Sequence, residues 1–215
     1  MLKLYYSPAA CSLAVHLALE ESGLEHSLER VNAREGQTRE PAYLAINPLG
    51  QVPALQLPDG RVLTEVLALL GYVADKVPAR RLLPTDPLGR ARALSWMSYF
   101  ACSVHGAFRD WISPGDCASS ELAQSLVRST ARERYFAHLQ RIEARIGETP
   151  WLLGDEYSLV DGYAFCFYLW GQIFEWPVAE LPRYRALAQR VAERPATRRA
   201  LEAEGFVAER TLRVA

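Results

Sequence analysis

The sequence predicts an α/β domain followed by an all-α bundle, and three observations carry that reading. Short apolar runs alternate with a helical pattern over roughly the first eighty residues. Prolines at 78, 84 and 87 then crowd one stretch, as a linker would. Every periodic segment beyond them has helical spacing. The chain divides accordingly into a domain over 1–77, a linker over 78–88 and a helical domain over 89–215.

Leu2 to Ser7 alternates loosely and stops at Pro8, which makes it the first strand. Leu13 to Gly23 follows as a helix with Leu13 and Leu17 on its core side and Gly23 as its stop. Ser27 to Val31 is a second strand, and a strand pair bridged by one helix implies a right-handed parallel unit. Asn32 to Arg39 is polar and reads as a loop, and Pro41 to Ile46 as a short helix. Leu55-Gln56-Leu57 and Arg61-Val62-Leu63 flank Pro58-Asp59-Gly60 as a hairpin. Glu65 to Lys76 is a helix whose Leu67, Leu70 and Val73 share an apolar face. The order is β-α-β-α-β-β-α. One long helix from Gly89 to about Trp111 opens the second domain. Others cover Ser119 to Ile146, a stretch beginning at Ser158, Arg183 to Arg194, and Pro195 to about Ala203. Ser158-Leu-Val-Asp161 has the form of a capping box, which gives both residues a structural role.

Composition excludes several function classes. The 24 basic and 25 acidic residues among 215 leave a net charge of -1, without the basic field that nucleic acid requires. The opening Met-Leu-Lys-Leu-Tyr-Tyr-Ser has no signal-peptide core, and the apolar run Tyr163 to Ile173 is too short to span a bilayer. A cytoplasmic protein is expected. Cys11, Cys102, Cys117 and Cys166 form no Cys-x-x-Cys pair, and the four histidines show no ligand spacing, so no metal is expected.

Some residues are placed for chemistry. Cys11 sits where a helix starts after the first strand, either as a thiol whose pKa the free amides and positive dipole end would lower, or as a small apolar residue packed at a strand end. His105, on the first helix of the bundle, faces a possible interdomain cleft, where an imidazole assists proton transfer near neutral pH. Glu65 and the amides after it stand ready for a ligand bearing both an ammonium and a carboxylate, or for ordinary capping. Asn47 to Pro53 is a loop held by Pro48, Gly50 and Pro53, either as a rigid turn or as a ligand frame.

Gln51-Val-Pro-Ala-Leu before a hairpin and a Glu-led helix resembles the thioredoxin-like domain of cytosolic glutathione transferases. Tyr5-Tyr-Ser-Pro-Ala-Ala-Cys-Ser resembles the opening of the bacterial beta class. The resemblance implies a glutathione-dependent detoxification enzyme of the transferase type (EC 2.5.1.18-like), acting on a hydrophobic electrophile or on disulfides and peroxides. It implies Cys11 and His105 as catalytic, and Gln51, Val52, Pro53, Glu65 and Val66 as the glutathione frame, with Val52–Pro53 cis. The basic residue after strand two falls on Arg34 or lies near Gly36. A second pocket would face Tyr6, Ala9, Phe108 and Trp111, with Phe165 assigned to the core. A homodimer is implied. Val66, Ser103 and Gly106 depart from the family pattern, and they support an alternative in which the fold serves protein–protein interaction through a degraded site.

Overall fold

The computed structural model describes residues 1–206; the last nine positions of the predicted helical domain, 207–215, lie outside the described residues. Four strands form one mixed sheet in the order β2-β1-β3-β4. β1 (Leu2–Tyr6) pairs parallel with β2 (His26–Arg30) and antiparallel with β3 (Ala54–Gln56), and β3 pairs antiparallel with β4 (Val62–Thr64). The hairpin strands differ by one residue from expectation. Pro53 is buried and has no N–H to donate to a ladder, so pairing starts directly after it; its bond to Val52 is cis.

Strand alternation distributes the side chains over two faces. Leu2, Leu4, Tyr6, Leu55 and Leu57 join the main core under α1 (Ser12–Ser22) and α3 (Val66–Lys76). Tyr5, Val31 and Ala54 pack on the opposite face with Tyr43 of the short α2 (Pro41–Leu44). Gly23, at a φ of 73°, ends α1 with its N–H on the Leu19 carbonyl. The polar stretch after β2 contains two 3₁₀ turns, Ala33–Glu35 and Gln37–Arg39.

The second domain begins earlier than its prolines suggest. Asp86 caps α4 (Pro87–Tyr99) by accepting from the Gly89 N–H at 2.7 Å, and Pro87 occupies the first helical position, where its missing N–H costs nothing. The expected single helix from Gly89 to Trp111 is interrupted. A π-helical turn, Phe100–Val104, joins α4 to α5 (His105–Ile112). The remaining helices are α6 (Glu121–Arg145), α7 (Leu159–Ile173), α8 (Pro182–Glu193) and α9 (Pro195–Ala203).

Helix α7 is the axis of the bundle, buried from Leu159 to Gly171 and packed against α1 of the first domain. Each large apolar side chain it buries contributes about 1.5–3 kcal/mol. Its start is closed by side chains. Asp161 accepts from the Ser158 N–H and hydroxyl at 2.8 and 3.0 Å, and from the Leu152 N–H at 2.8 Å. The Ser158 side chain in turn accepts from the third helical amide. Burial nonetheless lifts the Asp161 carboxyl to about 6, against the pull of these donors. No helix among the described residues is long and apolar enough to cross a membrane.

Candidate functional site

A cleft of about 570 Å³ lies between the sheet domain and the helices. One wall is made by the β1–α1 loop, the Asn47–Pro53 loop and the start of α3; the other comes from the π turn, α5 and α7. It brings together Ala9, Cys11, Gln51, Val52, Pro53, Glu65, Val66, His105 and Phe108.

Local chemistry fixes the first wall. The Gln51 carbonyl accepts from the Tyr43 hydroxyl at 2.6 Å and the Asn47 amide at 2.7 Å, which pins the chain just before Val52–Pro53. Gly50 has a φ of 61°, and a Cβ there would meet the Thr38 carbonyl at 3.0 Å. Glycine at 50 is therefore a packing requirement as well as a conformational one. The Cys11 thiol donates to the Val52 carbonyl at 3.3 Å, and no hydrogen bond within the described residues uses the Val52 N–H.

Glu65 adopts a φ of 71° and a ψ of 117°, outside the favoured regions for a residue with a Cβ. Such a conformation costs about 1–3 kcal/mol. It turns the chain sharply from β4 into α3, leaving Glu65 exposed at the cleft without a side-chain cap on the helix. The first amides of α3 thus point at a space rather than at a side chain.

Two electrostatic expectations are corrected. The Cys11 thiol is not acidified. Burial pushes it up to about 12; the Cys11 and Ser12 amides act in the expected direction, but desolvation outweighs them and the Glu65 charge adds to it. His105 is equally far from a neutral-pH proton carrier. Burial, with Arg109 as a smaller cause, lowers it to about 4, so the imidazole is neutral at pH 7. Its ring stands edge-on to Trp170 at 5.2 Å.

The second wall is aromatic. Phe108 stacks on Trp170 at 4.2 Å, and both line the cleft with Phe174. Trp111 lies outside this lining, behind the wall, at 5.1 Å from Phe174 and 4.5 Å from Trp176. Tyr6 is also outside it, because strand alternation turns its ring into the core toward His16. Phe165 is fully buried in the core. Of the two positions weighed for the family's basic residue, 34 and 36, Arg34 lines the cleft, with its guanidinium over the Phe174 ring at 5.6 Å, and Gly36 does not. Gly106 lines the cleft and has open space where a Cβ would stand, whereas Ser103 lies outside the lining.

Sequence reasoning missed Phe174 and Arg109 as parts of this cleft. Phe174 follows the end of α7, where no periodicity assigns a face.

Comparison with known proteins follows the same geometry. Residues 9–76 match the family model "Glutathione S-transferase, N-terminal domain", and residues 119–195 match "Glutathione S-transferase, C-terminal domain". The chain is 35% identical to glutathione S-transferase GstA of Escherichia coli O157:H7, over 95% of this chain and 100% of that one. A glutathione transferase homolog from Sulfitobacter, solved with bound glutathione, superposes with a TM-score of 0.91 at 34% identity, covering 96% of this chain and 99% of that one. The beta-class enzyme of Sphingomonas chungbukensis gives a TM-score of 0.83 at 36% identity, covering 95% and 100%. By fold, cleft and sequence, the chain belongs to the glutathione S-transferase family.

Proposed function

We propose that this protein is a cytoplasmic, homodimeric glutathione transferase of the beta class that joins glutathione to small hydrophobic electrophiles. The observation that supports it most is the pairing of the two walls. A polar frame of Val52–Pro53, Glu65, Arg34 and the open amides of α3 faces Phe108, Trp170 and Phe174 across one cleft. The Val52 N–H and carbonyl suit the cysteinyl backbone of glutathione, and Glu65 suits its γ-glutamyl ammonium. Arg34 and the α3 amides offer donors for its carboxylates. The aromatic wall suits the electrophile.

Cys11 then acts as a neutral donor. A thiol with a pKa of about 12 is protonated at pH 7. Its S–H, now on the Val52 carbonyl, is available to the sulfur of glutathione, whose thiolate is the attacking nucleophile. His105, uncharged, shapes the site through the Trp170 edge.

Replacing Cys11 with Ala tests this division of labour. Conjugation of an aryl halide is expected to persist with its rate reduced, because the attacking thiolate belongs to glutathione. Complete loss of conjugation in a folded variant would contradict the donor role. Alkylation of Cys11, followed by peptide mass spectrometry, gives the pH arm. The thiolate fraction grows about tenfold per pH unit while pH stays below the pKa. The rate should therefore climb from pH 7 to 10 without levelling; a plateau by pH 8 would show an acidic thiol instead.

A further inference from the structure

Outside the cleft, the chain brings together three electron-pair donors that its linear spacing conceals. His16 and Glu20 lie one turn apart on α1, and His26 opens β2. One donor atom from each lies within 4.8 Å of the other two. The linear sequence shows two histidines ten residues apart, and only the turn at Gly23 returns the second beside the first.

The hydrogen bonds around this trio decide which atoms are free. The His26 Nδ1 sits 2.8 Å from the Leu24 carbonyl. A carbonyl only accepts, so this nitrogen carries a hydrogen and Nε2 is the ring nitrogen left for an ion to bind. That Nε2 is 3.6 Å from a Glu20 carboxylate oxygen. The His16 Nδ1 is spent on Glu204, at 2.9 Å, within a fully buried pair. Its Nε2 is the donor atom left, and it is buried with no hydrogen-bond partner among the described residues. A buried ring nitrogen without a partner is costly. The ring that carries it stands in a cluster with a second imidazole and a carboxylate.

We propose that His16, Glu20 and His26 form a binding site for a divalent transition-metal ion of the zinc type. Two imidazoles and one carboxylate are a borderline-soft donor set, with a fourth position left for water. Zinc–ligand distances near 2.0–2.1 Å imply ligand atoms about 3.3 Å apart in a tetrahedron. The His26–Glu20 pair is already within a few tenths of an ångström of that spacing. Both histidines also have the outer partner that metal-bound imidazoles carry on their second nitrogen, a carboxylate for His16 and a carbonyl for His26. Arg199 binds the other Glu20 oxygen at 2.6 Å, which orients the carboxylate and leaves one oxygen for the ion.

The ion would fasten α1, the start of β2 and the end of α9 to one another. Its reach extends to the cleft. The second oxygen of Glu204 accepts from the Ala9 N–H at 2.9 Å, in the loop that leads to Cys11. Ala9 itself has a left-handed φ of 54°, and its carbonyl is held by the Trp170 ring N–H at 2.6 Å.

The test uses the full chain with Cys102 and Cys117, the exposed thiols, replaced by serine and with metal removed by a chelator. Zinc is then titrated against a chromophoric competitor. The expected result is one equivalent bound, with affinity reduced at least tenfold in His26→Gln and in Glu20→Gln. Zinc should raise the melting temperature of the parent and leave that of His26→Gln unchanged. His26 is only partly buried, so this variant is expected to fold, which its circular dichroism would verify. No binding by the parent would overturn the proposal and leave the His26–Glu20 approach as a contact between side chains alone. Binding of undiminished affinity in His26→Gln would overturn it equally, by placing the metal elsewhere.

Discussion

At the start of α7 the unpaired amides are closed by side chains, whereas at the start of α3 they are left open toward the cleft. Both helices begin with an acidic residue near the first turn, and both pack deeply. Asp161 is fully buried and accepts three hydrogen bonds. Glu65 is exposed, strained and without a cap bond. The difference separates what a carboxylate does for the fold from what it does for a ligand. A helix end with no role outside the fold satisfies itself, and one that receives a ligand leaves its donors unpaired at a cost in stability.

Asp161→Ala strikes the closed end and should have the largest effect. It orphans the Ser158 and Leu152 amides in a buried setting, so a loss of about 2–4 kcal/mol is expected in denaturant unfolding. A loss under about 1 kcal/mol would mean that water replaces the carboxylate and that the contrast with α3 is weak. Glu65→Gly strikes the open end. Glycine accepts the positive φ, so stability should hold or rise by up to about 1 kcal/mol, while glutathione affinity falls about tenfold. A variant both less stable and unaltered in binding would invert the comparison. The smallest effect belongs to Gly106→Ala, between the two ends on α5. Its Cβ enters open space in a helix, and a gain of about 0.5–1 kcal/mol should appear as a raised melting temperature.

Much of this contrast was legible from residue order. Ser-x-x-Asp before an apolar run is a local signature, and so is a strand–helix–strand opening. Both depend on neighbours within a few positions. The π turn was not legible. Ala93, Met97, Phe100, Val104 and Ala107 keep ordinary helical spacing across it, so the apolar pattern is the same for an α or a π turn. Nor was the state of Cys11. Its helix-start position is local and visible, but the burial that outweighs the amides comes from the Val52 loop and α7, far along the chain. His105 failed for the same reason. The resemblance set Tyr6 and Trp111 in the second pocket, whereas strand alternation turns Tyr6 into the core and Trp111 packs behind the wall on Phe174 and Trp176. Val66, a departure from the family pattern, is buried at the start of α3, yet a cleft of about 570 Å³ remains beside it.

The most direct measurement is calorimetric titration of the purified protein with reduced glutathione, with S-hexylglutathione as comparison ligand. The open end of α3 predicts saturable binding at or tighter than about 1 mM, or roughly -4 kcal/mol. The thioether should bind more tightly, because its alkyl chain reaches the aromatic wall. No heat from either ligand in a folded sample would contradict the account and leave a glutathione transferase fold whose partners are proteins.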